Sequence, residues 1–418
     1  MGAVVYSFVQ VSFSFTRGGA AIAAGKFKAL AENIPHSKVI SLSQGDATLF
    51  HFFKRLISYA LGKVQFDGNP IKHSLNLFSY VPVLESFKDH SNAIHHLHWI
   101  NNDTLSVFDF DKIPPGTLVT LHDEWLYCGA EHCYKVLDSA DDFIKGYTFY
   151  KKGVYGLHWN YIIWRVKKYK LAHRNDLIYT VPSNWMLKRA SQSLILRNAD
   201  VRLLPNPIDV DVFLPSTKID INGFRGSLGI LPDDIVLVFG AISGMTSFLK
   251  GAHLLDEALK KLSSEMNADW VKKIKLINFG GKAKKNNFLQ GFQNISLGHV
   301  YEQGQLAKLY SSADCVIVPS LVESFGQVAA EALACETPVV CFNCSGLTDI
   351  VIDGETGLLA KPYSATDLAQ KIKNIILLDN HSRLELGKNG RKHVIEKFSY
   401  AVISKQYNRI INDVIKLK

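Results

Sequence analysis

The sequence predicts an α/β chain built as two parallel-sheet halves. Short apolar runs of β type alternate with amphipathic stretches along its 418 residues. Several of these runs are apolar almost without interruption, as strands buried on both faces are. A Leu204-Pro205-Asn206-Pro207 break interrupts the alternation near its middle.

Strands are expected at Val4–Val9, Lys38–Leu42, Ala93–Leu97, Thr117–Leu121 and Leu177–Val181 before the break. After it they are expected at Ile235–Phe239, Lys275–Phe279, Cys315–Val318 and Pro338–Phe342. Helical patterns fall between them, at Gly19–Asn33, Gly251–Glu265, Gln303–Ala313 and Ala365–Leu378. Strand, helix, strand in succession gives parallel pairing with right-handed crossovers. At the break two prolines flank one residue, so neither a helix nor a central strand runs through it. The expected halves are residues 1–205 and 206–399, with Tyr400–Lys418 a helix able to pack on either. Asp46–Val83 and Tyr127–Trp159 carry no readable motif.

Composition excludes several classes. With 47% apolar and 20% charged residues, the chain is too apolar to be disordered. Its length supplies a core that needs no disulfide or metal staples. The six cysteines are scattered, and only Cys341-x-x-Cys344 forms a close pair. They read as buried apolar thiols of a reducing, cytosolic compartment. No run approaches the ~18–20 apolar residues that span a bilayer. The start, Met1 to Tyr6, lacks the basic region of a signal peptide.

Lys plus Arg number 47 against 38 Asp plus Glu, a net charge of +9. Such an excess suits nucleic acid, a membrane surface or an anionic small molecule. No nucleic-acid motif accompanies it, so no nucleic-acid partner is expected. The densest basic run is Asn160–Arg174, where Arg165, Lys167, Lys168 and Lys170 interleave with Trp164 and Tyr169. It reads either as a contact with anionic lipid or as an ordinary amphipathic helix packed on a sheet.

In open parallel sheets, ligands bind in the loops at the carboxyl ends of strands. The first such loop holds Arg17, Gly18 and Gly19 and opens a helix. Paired glycines let backbone approach a phosphate, although the same residues serve a plain strand–helix turn. Lys250-Gly251 follows the first strand of the second half and stands where a lysine reaches a diphosphate. The most informative run is Ser320 to Ala332, with Glu323 ahead of a Ser324-Phe325-Gly326 turn and Glu331 inside the helix that follows. Two carboxylates around a buried helix start need partners. Sugar hydroxyls are natural ones, and the free amides there suit a phosphate. His122-Asp123 directly follows one strand, and His98 follows another. Polar catalytic groups stand at such strand ends. No carboxylate lies at metal-ligand spacing from these histidines.

The Glu323-x7-Glu331 element resembles that of glycosyltransferase family 4, retaining transferases of GT-B fold. The likeness covers nearly the whole chain. It takes in Gly18-Gly19, the Thr120-Leu121-His122-Asp123 run, Ser183-Asn184-Trp185, Pro205 to Asp209, Lys250-Gly251, Asp314 through Ser320 and Asp353 to Gly357. It implies two Rossmann-like domains facing a cleft, with a nucleoside diphosphate sugar held mainly by the second. By this resemblance Glu323 contacts the donor sugar and Glu331 the nucleotide ribose. Lys250 neutralises the diphosphate, aided by amides near Ser324, Phe325 and Gly326, and Arg17 adds charge. His122 matches the histidine near the reacting carbon, and His98 and Asp123 stand beside it on the acceptor side. One departure is the Gly240 to Thr246 loop, which lacks the arginine many members carry.

The narrower likeness is to transferases that build bacterial surface polysaccharide: lipopolysaccharide O-antigen, capsule or exopolysaccharide. It implies a glycan or lipid-linked glycan acceptor, and a cytoplasmic place peripheral to the inner face of the plasma membrane. Charge at Lys250 and the helix amides needs no metal clamp, and Asp109-x-Asp111 and Asp209-x-Asp211 follow no convincing ligand-facing strand, so no metal and no cofactor are expected. Two other readings stand beside the transferase one. One is another GT-B enzyme, an epimerase or inverting transferase. The other is a basic, non-enzymatic protein binding membrane or nucleic acid.

Overall fold

The computed structural model describes residues 6–16, 18–44, 47–133, 141–240, 248–281 and 287–418. The chain divides into two units, Met1–Asn206 with Ile403–Lys418, and Pro207–Val402.

Among its described residues the first unit has β1 (Tyr6–Val11), β2 (Ser37–Leu42), β3 (Gln65–Phe66), β4 (Ile94–Leu97), β5 (Thr117–Thr120), β6 (Tyr155–Gly156), β7 (Leu177–Val181) and β8 (Asp200–Leu203). Six of these form a parallel sheet in the order β2-β1-β4-β5-β7-β8. The order reverses direction between β1 and β4. β3 and β6 pair antiparallel as a separate two-residue ladder. The first strand ends two residues later than the sequence suggests, because Gln10 continues it as a buried polar residue. Val4 and Val5 of the expected strand lie outside the described residues.

The second unit has β9 (Ile235–Gly240), β10 (Ile274–Phe279), β11 (Asn287–Leu289), β12 (Phe292–Ser296), β13 (Cys315–Val318), β14 (Val339–Phe342) and β15 (Gly357–Ala360). Their order is β11-β12-β10-β9-β13-β14-β15, parallel except for β11 on β12. Winding runs outward from β9 through β10 and β12 on one side, then through β13, β14 and β15 on the other. The switch point is the β9–β13 junction, where open α/β sheets bind ligands.

Period-2 alternation builds the core of this sheet. Val236 and Val238 pack one way, against Ala329, Ala332 and Leu333 of the Gln327–Ala334 helix. Ile235 and Leu237 pack the other way, against Leu255, Leu259 and Leu262 of the Ala252–Glu265 helix and Leu368 and Ile372 of the Ala365–Leu377 helix.

The last helix, Tyr400–Lys416, buries Ile403, Tyr407, Ile410, Ile411 and Val414. Arg202 at the edge of the first unit's sheet pairs with its Asp413 at 2.7 Å. Among the described residues no helix is long and apolar enough to cross a membrane. All six cysteines are free, and five of them are buried.

Candidate functional site

The second unit's site forms at its switch point. Lys250 Nζ lies 2.5 Å from Glu323 Oε1. The lysine ends the loop after β9 and the glutamate sits in the loop after β13. Ser320 donates its hydroxyl to the same carboxylate oxygen at 2.8 Å. The Glu323 amide donates to Ser345 Oγ at 3.0 Å, and its carbonyl accepts from the Gly346 amide at 2.8 Å. Ser345 adopts a left-handed φ of 55°, a strained state for a side-chain-bearing residue. Three loops, after β9, β13 and β14, are therefore stitched around one carboxylate.

Glycine makes the approach close enough. Gly251 has φ 68°, and a Cβ there would stand 1.7 Å from the Pro319 carbonyl oxygen. The Leu321 amide donates to Leu249 O at 2.8 Å across the same gap. Gly251 and Gly326 lead the helices Ala252–Glu265 and Gln327–Ala334, and neither helix start has a side-chain cap. First-turn amides have no partners inside their own helix and carry partial positive charge. Two such termini thus flank the Lys250–Glu323 pair. Glu331 is buried within its helix, where Gln327 donates to it at 2.6 Å and Tyr310 at 3.4 Å. Burial, with Glu331 adding to it, pushes the Tyr310 hydroxyl well above its usual range, so it remains a donor. Phe325 turns its ring into the core against Phe398, while Ser324 stays partly exposed.

The first unit has its own constellation at the carboxyl ends of β1, β4 and β5. His122 Nε2 lies 3.2 Å from His98 Nδ1, and His98 Nε2 lies 2.8 Å from Gln10 Oε1. Gln10 Nε2 reaches Tyr407 OH at 3.3 Å, and Tyr407 OH reaches His96 Nδ1 at 3.2 Å. His96 Nε2 meets Thr120 Oγ1 at 2.7 Å, and Thr120 meets Thr180 at 2.7 Å. An amide oxygen only accepts, so His98 Nε2 donates to Gln10. Its Nδ1 is then an acceptor, and His122 donates to it. The same direction satisfies every later link. Assigned this way, His122 carries its proton on Nε2 and keeps Nδ1 as an acceptor.

Burial keeps these imidazoles neutral. It holds His122 down to about 4 against a weaker raising effect of Asp123, and it drives His96 and His98 well below their usual range. Asp123 is engaged through both oxygens, by Trp99 Nε1 and His132 Nδ1 at 2.7 Å each and by the Trp125 amide at 3.0 Å. Burial raises its carboxyl, but His132 and the other donors outweigh this and leave it low. His98, only 3% exposed, orients His122. Gly18, at φ 96°, leads the uncapped Gly19–Glu32 helix, and open space lies beyond both Gly18 and Gly19. Arg17 and residues 241–247 of the Gly240–Lys250 loop lie outside the described residues.

The basic run needs correction. Lys167 is fully buried, not a surface cation, and donates to the carbonyls of Trp125 and Gly129. Burial pushes its amine down to about 7, against raising effects of Cys128, Glu131 and Asp123. Lys170 pairs with Asp111 at 2.8 Å, and Arg174 with Asp176 at 2.7 Å. The Trp159–Leu171 helix thus spends much of its charge inside its own unit. Sequence reading also left out Ser345, Tyr310, Gln10 and Tyr407. Each meets its partner across a long chain separation and carries no local signal.

Residues 227–393 match the family model of the glycosyl transferases group 1. The match falls inside the second unit. The matched span contains both sides of the Lys250–Glu323 pair. D-inositol 3-phosphate glycosyltransferase of Corynebacterium aurimucosum is 31% identical over 220 residues, 50% of each chain. An uncharacterized glycosyltransferase of Methanocaldococcus jannaschii is 32% identical over 209 residues, 48% of this chain and 50% of its own. The chain thus spans about half the length of the curated relatives it matches.

Among solved structures, sucrose-phosphate synthase of Thermosynechococcus elongatus has a TM-score of 0.66 at 19% identity, covering 99% of this chain and 100% of its own. Anabaena HepE, in complex with UDP and glucose, has 0.63 at 16%, covering 98% and 100%. WaaG, a glycosyltransferase involved in lipopolysaccharide biosynthesis, has 0.61 at 15%, covering 97% and 99%. These likenesses show the fold, which is the GT-B class the sequence predicts.

Proposed function

We propose that the chain is a retaining glycosyltransferase that moves a sugar from a nucleoside diphosphate sugar to a hydroxyl acceptor. The observation that carries this reading is the Lys250–Glu323 pair, held between two glycine-led helix termini in the second unit. The leaving group is an anionic diphosphate. Fixed positive charge and preorganised amides stabilise the charge that develops as it departs. Lys250 and the amides after Gly251 and Gly326 take that role. Glu323 accepts from the sugar's hydroxyls, and Glu331, held by Gln327 and Tyr310, accepts from the ribose. In the first unit, neutral His122 offers Nδ1 to a substrate hydroxyl. The charge on Lys250 and the amides lets the transfer proceed without a bound metal, so chelators should leave the rate unchanged.

UDP-glucose is the first donor to try, since Anabaena HepE was solved with UDP and glucose. The proposed acceptor is a glycan or lipid-linked glycan of bacterial surface polysaccharide, met at the cytoplasmic face of the membrane. The test is a panel of nucleotide sugars scored for released nucleoside diphosphate, then NMR of the product linkage. Release with one donor and an α-linked product from an α-linked donor are expected. A β-linked product would make it an inverting transferase. No release from any donor, with the fold intact, would remove the transferase reading.

A further inference from the structure

The Leu49–Gly62 helix is inside out. A surface helix ordinarily turns its apolar stripe to the core and its polar stripe to water. Here the inward line is His51, Arg55, Ser58 and Gly62, spaced for one helical face. Ser58 donates to Asp103 at 2.8 Å, the Arg55 guanidinium lies over Phe13, and His51 packs on Tyr80. The outward arc is Leu49, Phe50, Phe52, Phe53, Leu56 and Ile57, each at least half exposed, with Leu49 at 78% and Phe50 at 70%.

The arc does not end with the helix. Leu157 N bonds Val64 O at 3.2 Å, Trp159 Nε1 bonds Leu61 O at 2.7 Å, and β3 pairs with β6. These bonds bring exposed Phe66 and Tyr155 beside the helix. Soluble surfaces rarely leave an apolar patch of this extent facing water.

The helix and the two segments that flank it carry only positive charge of their own. No Asp or Glu occurs from Ala47 to Phe66, or from Phe143 to Asn175. Lys54 lies over the Phe50 ring and Lys63 over the Tyr59 ring, so both ammonium groups sit at the rim of the apolar arc. Beside the helix opens a cavity of about 560 Å³, whose lining includes Arg55, Lys63 and Lys72 together with Asp67 and Asp103.

We propose that this surface docks on a phospholipid bilayer bearing anionic headgroups. The Leu49–Ile57 arc and the Phe66–Tyr155 ladder enter the headgroup–acyl boundary, and Lys54 and Lys63 stand at phosphate level. A wide apolar arc with cations at its edges, on a helix lying in the plane, is the composition of such contacts. Docking itself is independent of the transferase reading. Only its consequence, that the acceptor is lipid-anchored, rests on that reading.

The test is flotation of the full chain with phosphatidylcholine vesicles, with and without phosphatidylglycerol. Binding is expected to the anionic vesicles and to fall with added salt. The Phe50→Ser/Phe53→Ser/Ile57→Ser variant is expected to lose affinity by about tenfold or more, since three apolar side chains no longer leave water. Its side chains face outward, so its melting temperature and its donor hydrolysis should hold. Vesicle binding unchanged by the variant would overturn the proposal. So would a chain that ignores vesicles and forms a dimer that the variant dissociates, because a second copy would then cover the face. Loss of donor hydrolysis in the unaltered chain would strike the transferase reading alone.

Discussion

Glu323 takes two donors on one oxygen, Lys250 at 2.5 Å and Ser320 at 2.8 Å, so its carboxylate is positioned before any substrate arrives. Lys250→Met and Glu323→Gln are each expected to lower kcat by about 10²–10³-fold, the usual effect of removing one preorganised electrostatic group. Both side chains keep some exposure, and the melting temperature should move little. Steady-state kinetics with the donor found in the panel checks this. Near-normal turnover in either variant would unseat the pair.

Gly251 is fixed by geometry rather than by chemistry. Gly251→Ala sets a Cβ against the Pro319 carbonyl and keeps a left-handed φ. The backbone must shift, at about 1–3 kcal/mol. The shift moves the helix start that is proposed to face the diphosphate. Thermal unfolding should record the loss and donor KM should rise. A variant with unchanged KM would detach this terminus from donor binding.

The buried histidines make stability fall in acid. His122 and His95 are held down to about 4, chiefly by burial, while the unfolded chain protonates its imidazoles near 6.5. Between these values the unfolded state binds more protons, so stability decreases as pH drops from about 6.5 toward 4. Melting temperatures from pH 8 to pH 5 should trace that slope. His95→Leu, which removes one buried imidazole outside the site, should flatten it. For the same reason the rate should show no inflection from His122 near neutrality.

Lys167 separates burial from membrane charge. Lys167→Met leaves the carbonyls of Trp125 and Gly129 without their donor, at about 1–3 kcal/mol. It should lower the melting temperature without weakening vesicle binding. Weaker vesicle binding with an unchanged melting temperature would put Lys167 on the surface.

Strands such as Ile235–Phe239 and Cys315–Val318 were legible because both sheet faces are covered and every residue is apolar. The edge strands Asp200–Leu203, Asn287–Leu289 and Gly357–Ala360 were not, since they are short and lie at the borders of their sheets. The Glu323–Glu331 element was legible because its residues share one loop and helix. Its supports were not. Ser345 reaches Glu323 across 22 residues, and Tyr407 reaches Gln10 across 397. The Leu49–Gly62 helix lies in the stretch that carries no readable motif, and its composition does not say which way its apolar residues point. Only the bonds of Ser58 and the packing of His51 and Arg55 decide that. The basic run failed for a similar reason, since composition counts Lys167 without saying where its amine lies.

Tyr407 links the end of the chain to its beginning. During synthesis the strands carrying Gln10, His96 and Thr120 leave the ribosome long before the helix that supplies the phenol. The Pro207–Val402 unit is continuous in sequence and is complete first. Domains usually mature in order of emergence. Here the first unit to emerge is the last to be finished, and its histidine relay stays open until the final helix docks. A nascent chain stalled just after Val402 would display a formed second unit beside a first unit whose tautomer is not yet set.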